Sequence, residues 1–219
     1  MVTISEVVQQ LVEERPFLSE ALGEGLINVS ALARQLAPEV EGKLGKPVKH
    51  GAVVMAIKRF REGALTYTIK ELNRFFEKLS NLSVRSGLLD YTFANSDRLV
   101  HCCSELLEEM QRRPRAFCTF SQGISETTVI VDESTENRVE LLFGAERLLE
   151  KESELSAVTL LLPAENRQLY GVYYYILRRL AWHGINLVEL ISTSNEFTVI
   201  VSDEDLDRTF SVLNGLRGM

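Results

Sequence analysis

Cysteine, histidine and tryptophan are scarce in this chain: three, three and one among 219 residues. The three cysteines, Cys102, Cys103 and Cys118, make no disulfide framework and suit a reducing compartment. His101-Cys102-Cys103 is the one place where metal-ligating types meet. Neighbouring side chains on a helix diverge, and no second ligand pair follows at metal spacing, so ordinary helix residues is the better reading. No metal or other cofactor is expected. No apolar run approaches the roughly 20 residues that cross a bilayer, and the first six residues lack the basic start and apolar core of a signal peptide. A cytoplasmic protein without membrane attachment is the expectation.

The motifs of common enzymes are missing as well. There is no Gly-rich phosphate loop ending in Lys-Ser/Thr, no dinucleotide fingerprint after a strand and no nucleophile elbow. The scattered histidines give neither a triad nor a zinc set. No catalytic residue stands out, and a non-enzyme is expected. A formal charge of −7, from 31 acidic and 24 basic residues, argues against a chain built throughout for nucleic acid.

What is present is an ordinary globular composition, 45% apolar and 25% charged, in a length that admits two or three small domains. Residues 1–63 read as helical. Ile4, Val7, Val8 and Leu11 form a stripe that Arg15-Pro16 ends, and a short helix over 17–22 follows. Ser30 is a candidate N-cap for a helix over 31–44. After Gly45-Lys46-Pro47 a further helix is expected over 48–60, with Pro47 in its first turn. Two helices joined by a short turn, with Lys46, Lys49, Lys58, Arg59 and Arg61 around the second, suggest a helix-turn-helix and candidate nucleic-acid contacts. The competing account is a helical bundle with a wet basic face. Eight basic residues balance eight acidic ones over 1–63, so the segment is neutral. Residues 64–81 read as a connector with a helical look over 69–79.

From residue 82 onward the chain repeats itself. Thr128-Val129-Ile130-Val131 and Thr198-Val199-Ile200-Val201 are identical at an offset of 70. Around the second copy the order is a strand over 157–162, a helix over 168–183, strands over 185–192 and 197–201, then a helix opened by Ser202-Asp203-Glu204-Asp205, which has the form of a capping box. Leu169, Val172, Tyr173, Ile176 and Leu180 make the first helix's core stripe, and Gly184 ends it. Tyr173 is expected in the core, with Tyr174 and Tyr175 at the surface. Leu206, Phe210 and Leu213 make the second helix's stripe. At the same offset the first copy has strands over 88–92 and 116–122, helices over 97–113 and 132–144, and a closing strand over 147–152. The fold class expected is therefore α+β: an N-terminal helical domain (1–63), the connector (64–81), and two ferredoxin-like βαββαβ units, 82–154 and 155–219.

One run in the second unit carries a resemblance. Gly171-Val172 precedes Gly184-Ile185-Asn186-Leu187-Val188-Glu189 by thirteen residues, and Ile191-Ser192-Thr193-Ser194 follows. This pattern over about sixty residues resembles an ACT domain, most closely the regulatory ACT repeats of aspartate kinases. Tyr170 stands where that family usually has proline.

The resemblance implies an amino-acid effector gripped by the loop before the first helix and the start of the second strand, here Tyr170, Gly171, Val172, Asn186, Leu187, Val188, Glu189, Ser192, Thr193 and Ser194. It also implies pairing of two chains through these units. Residues 1–81 are too few for the kinase domain, so no aspartate-kinase activity is expected. The first unit has His101, Ala116 and Gln122-Gly123-Ile124 at the signature positions, which marks it as a structural partner. Three functions fit: a small-molecule sensor, a ligand-responsive DNA-binding regulator, and a scaffold without ligand.

Overall fold

The structure, a computed structural model, describes residues 2–63, 66–113 and 116–218, with the side chains of Pro16, residues 61–70 and Gly218 excepted. The chain divides into two compact units, 1–74 and 75–219.

The first unit holds α1 (Ile4–Glu13), α2 (Pro16–Gly23), α3 (Val29–Leu44), α4 (His50–Gly63) and most of α5 (Thr66–Glu77). Its core joins Val7, Val8, Leu11 and Val12 of α1 to Leu32, Leu36 and Val40 of α3 and to Val53 and Ile57 of α4. These positions recur three and four apart, so each helix buries one stripe. Thr3 and Glu6 close α1 with a reciprocal capping box. Two expectations are corrected here. Asn28 caps α3 by accepting from the Ala31 N–H, while the Ser30 hydroxyl lies 3.1 Å from His50 Nε2. Helix α4 starts at His50, which leaves Pro47 outside its first turn.

The second unit is a six-stranded antiparallel sheet with four α-helices: β1 (Leu82–Ala94), α6 (Leu99–Met110), β2 (Cys118–Gln122), β3 (Glu126–Asp132), α7 (Glu136–Phe143), β4 (Leu148–Leu161), α8 (Val172–Trp182), β5 (Glu189–Ser192), β6 (Glu196–Ser202) and α9 (Leu206–Asn214). The strand order is β2-β3-β1-β4-β6-β5. Two long central strands, β1 and β4, pair with each other along nearly their whole length. Each then pairs with a hairpin on its outer side, β1 with β3 and β4 with β6. Breaks in register near Gly87, and the positive φ of 57° at Glu154, bend the central pair.

The repeated tetrapeptides occupy equivalent places. Thr128 faces Thr92 with the hydroxyls 3.0 Å apart, and Thr198 faces Thr159 at 2.7 Å. The hairpins match at the expected offset of 70, since Thr119 pairs with Ile130 and Glu189 with Ile200. The first strands do not: Thr159 stands where Thr92 does, an offset of 67 (92 to 159). Strand β5 is shorter than expected, because residues 185–187 after Gly184 (φ 64°) run outside the ladder. The segment 203–205 is a turn of 3-10 helix with no side-chain cap at Ser202, so the capping box is not formed.

One face of the sheet carries the helices. Leu89, Tyr91, Phe93, Val129 and Val131 meet Leu99, Leu106, Val139 and Phe143 of α6 and α7. In the other half Val158, Leu160, Val199 and Val201 alternate with residues of the opposite face, and α9 packs against β4 and β6 with Thr209, Val212 and Leu213 buried. Phe210 is exposed, so the α9 stripe is shifted by a residue from the expected one. A similar shift affects α8: Tyr175 is buried while Tyr173 and Tyr174 are partly exposed. Phe76 explains it. Its ring stacks on Tyr175 at 5.0 Å between centroids, and so the residues before β1 draw that face of α8 inward.

The helix-free face has its own small core of Leu88, Ile130, Leu155, Ala157 and Ile200, with Phe117, Val188 and Ile191 packed against it. Residues of both edge strands line one common depression, so the sheet curls over this face. Ile200 is fully buried there. Replacing it with alanine is expected to cost about 3 kcal/mol in urea unfolding; a change below about 1 kcal/mol would place that core elsewhere.

Candidate functional site

Two hollows flank β5 and the start of α8. The first belongs to the loop before α8. From Leu162 to Gly171 that loop has ten residues, against four (95–98) before α6. It is tied to the β5–β6 turn: the Leu162 N–H donates to the Asn195 carbonyl at 2.6 Å, and buried Asn166 donates through Nδ2 to the Ser194 carbonyl at 2.7 Å. A 3-10 turn over Ala164–Arg167 follows, and the loop ends at Gly171 with φ 85°, a conformation that costs other residues a Cβ clash. No side chain caps α8. Its first-turn N–H groups therefore open, with the positive end of the helix dipole, onto a cleft of about 530 Å³ lined by Arg167, Leu169, Tyr170, Val172 and Tyr174 among others.

The second hollow, about 270 Å³, is the seam between the sheet edges. Thr119, Phe120 and Ser121 of β2, with Thr128 and Ile130 of β3, form one wall; Glu189, Leu190, Ile191 and Ser192 of β5 form the other. Behind Ile130 in the β3–β1 ladder stands Asp90, 7% exposed. Burial, then the negative charges of Glu189, Glu152 and Glu150, push its carboxyl up to about 7. On the opposite, helix-bearing face of the sheet, burial raises the Cys118 thiol to about 12 and that of Cys103 to about 11. Among the described residues no group of three His, Cys, Asp or Glu side chains is set to hold a metal ion, and Cys102 Sγ lies 3.2 Å from the Leu142 carbonyl in the α6–α7 core.

The expected effector residues divide between these places. Tyr170, Gly171 and Val172 line the α8 cleft, whereas Glu189 and Ser192 line the seam. Tyr173 joins the two: its ring packs on Phe197 and its hydroxyl hydrogen-bonds that of Ser192. Thr193 and Ser194 form the β5–β6 turn, with the Thr193 N–H donating to Glu196 and the Ser194 carbonyl occupied by Asn166. Val188 packs on the inner core, and Asn186 and Leu187 lie in the stretch before β5 without lining either hollow. Arg167, Asn166 and Asp90 were not singled out by sequence. The unequal loop lengths pointed to the first two, but alignment at a single offset of 70 concealed the six extra residues.

In the first unit Lys46 and Lys49 are exposed before α4, and Lys58 and Arg59 are exposed on it. The Arg61 side chain lies outside the described residues. No helix among the described residues is long and apolar enough to cross a membrane.

No family model and no curated protein matches the sequence. Solved structures do match. An aspartate kinase of Clostridium acetobutylicum, described as an allosteric enzyme, aligns over 64% of this chain at 9% identity and a TM-score of 0.54. The alignment spans 34% of that enzyme, so this chain corresponds to about a third of its length. The regulatory subunit of aspartate kinase from Thermus thermophilus aligns over 63% of this chain and 97% of its own, at 8% identity and a TM-score of 0.50. The aspartokinase alpha and beta subunits align over 64% and 99%, at 11% and 0.51. The likeness is one of fold: the aspartate-kinase regulatory fold, an arrangement consistent with ACT-type repeats.

The raised Asp90 proton affinity makes a stability prediction. Unfolded, this carboxyl releases its proton near 3.9; folded, it holds it up to about 7. Between those values the folded state binds more protons, so this group's contribution falls as pH rises from about 4 to about 7 and is flat above. Asp90→Asn is expected to remove that slope and to exceed the parent in stability by roughly 3–4 kcal/mol near pH 8. Urea midpoints across the range check it; parallel curves would show the carboxyl to be solvated.

Proposed function

We propose that this chain is a non-catalytic regulatory protein whose residues 82–219 form two ACT-type units of ferredoxin-like topology and bind an amino acid at the start of α8. In this reading the units share one sheet. Strands β2, β3, the second part of β1 and the first part of β4 make one unit; β5, β6, the rest of β4 and the rest of β1 make the other. Residues 1–63 form a separate helical domain that reports the bound state. Two chains associate through the ACT-type units in the cytoplasm.

The observation that carries the proposal is the long loop ending in Gly171, which leaves the α8 N-terminus uncapped over a cleft of about 530 Å³. Helix N-terminal N–H groups suit a carboxylate, and the Arg167 guanidinium on the cleft wall supplies the matching charge. Leu169, Tyr170 and Val172 offer apolar and ring surface for a side chain. The first ACT-type unit has the short 95–98 loop instead, which supports one effector site type per chain.

Isothermal titration of the whole chain against the twenty amino acids tests the reading. One or a few are expected to bind, with Arg167→Ala weakening the interaction about tenfold through loss of a charged hydrogen bond. Gly171→Ala is expected to abolish it by straining the loop. Silence from all twenty, with the protein folded, would leave a scaffold role. A second reading, a ligand-responsive DNA-binding regulator, draws on the exposed Lys46, Lys49, Lys58 and Arg59. A gel shift at low salt decides it: the contacts predict retardation that fades as salt rises.

A further inference from the structure

The seam between β2 and β5 has features that an amino-acid site at α8 does not account for. Its walls combine the hydroxyls of Thr119, Ser121 and Ser192 with apolar Ile130 and Ile191, and Glu189 is the one acidic or basic residue among its lining. Asp90 lies on the same sheet face, paired across the ladder with the wall residue Ile130, and 93% of its surface is buried (7% exposed). Its carboxyl has no hydrogen-bond or ion-pair partner among the described residues. Glu152 stands directly opposite it on β4, and the curl packs Ile191 of β5 and Val188 before it against the same small core as Leu88 and Ile130, which brings Glu189 toward this face. A buried carboxylate without a partner is costly unless it is neutral or meets a cation.

We propose that the seam is a binding site for a small alkylammonium compound, with Glu189 at its mouth and Asp90 behind it as the counter-charges. The charged groups around Asp90 support a cationic guest. Glu150 and Glu152 face it from β4 and Glu189 from β5. Strand β2 contributes Thr119, Phe120 and Ser121, none of them charged. The Arg85 guanidinium of β1 is held 3.1 Å from Asp132 and lies over the Phe117 ring. No Lys or Arg is among the residues that line the seam to receive a carboxylate. An amine without an acid group fits it better than an amino acid does, and the proposal stands independently of the α8 cleft. A metal ion is less suited, because no three ligands converge among the described residues.

Binding of an ammonium group draws the proton off Asp90, so uptake of the guest is linked to proton release. Titration calorimetry of the full chain with 1,4-diaminobutane, in two buffers of different ionisation heat, reads both events. Binding is expected at about pH 8 and is expected to weaken about tenfold or more at about pH 5.5, where Asp90 is protonated. Asp90→Asn is expected to abolish it, and Glu189→Gln, on the exposed rim, to weaken it with the fold intact by circular dichroism. No binding at the higher pH, or diamine binding that either folded variant leaves unchanged, would overturn the proposal.

Discussion

The pairing of β1 with β4 is the constraint on which the second unit depends. These strands are long enough, at 13 and 14 residues, to give each hairpin a partner and still pair with one another. Asp90 faces Glu152 and Arg85 faces Ala157, so exchanging the two strands reproduces the pairing. Neither half of the sheet is complete without the other's central strand. Pulling the halves apart would expose backbone donors and acceptors along the whole central ladder, at a cost for each buried unpaired group.

That continuous sheet has two unlike faces. The four helices bury their stripes on one of them. The other carries none of these four, and its apolar residues are covered because the sheet curls and brings its edges toward each other. Curling shelters Ile130 and Ile200, but it also encloses Asp90, which holds its proton up to about 7 as a result. The two hollows flanking β5 have opposite electrostatic character. The α8 cleft presents a helix N-terminus and Arg167; the seam presents carboxylates. The hydrogen bond between the Tyr173 and Ser192 hydroxyls links their walls. A guest in either hollow thus touches a residue bonded to the other, a physical route for coupling between them.

Much of this layout was legible in the residues. The repeated Thr-Val-Ile-Val named the two equivalent strands, Gly184 marked the end of α8, and alternating β-branched residues located β3 and β6. The errors share a cause. Leu206, Phe210 and Leu213 fit a helical stripe as well as Thr209, Val212 and Leu213 do, and only packing against β4 and β6 chooses between them. Tyr173, Tyr174 and Tyr175 are indistinguishable as a sequence; Phe76, almost a hundred residues away, selects Tyr175 for burial. The same holds at the candidate sites. Gly171 was visible through its spacing from Gly184, but Glu189 and Ser192, expected to share a site with it, line a different hollow.

Local composition was enough to indicate most of the helices and strands and the repeated tetrapeptide, because periodic burial and turn residues act over a few positions, but not that the strands expected over 147–152 and 157–162 are one continuous strand. Where those elements lie relative to one another was decided by contacts between residues far apart in the chain. The curl that buries Asp90 beside Glu189 is the clearest case: ninety-nine residues separate them, and no pattern along the chain records that the sheet bends far enough to bring them together.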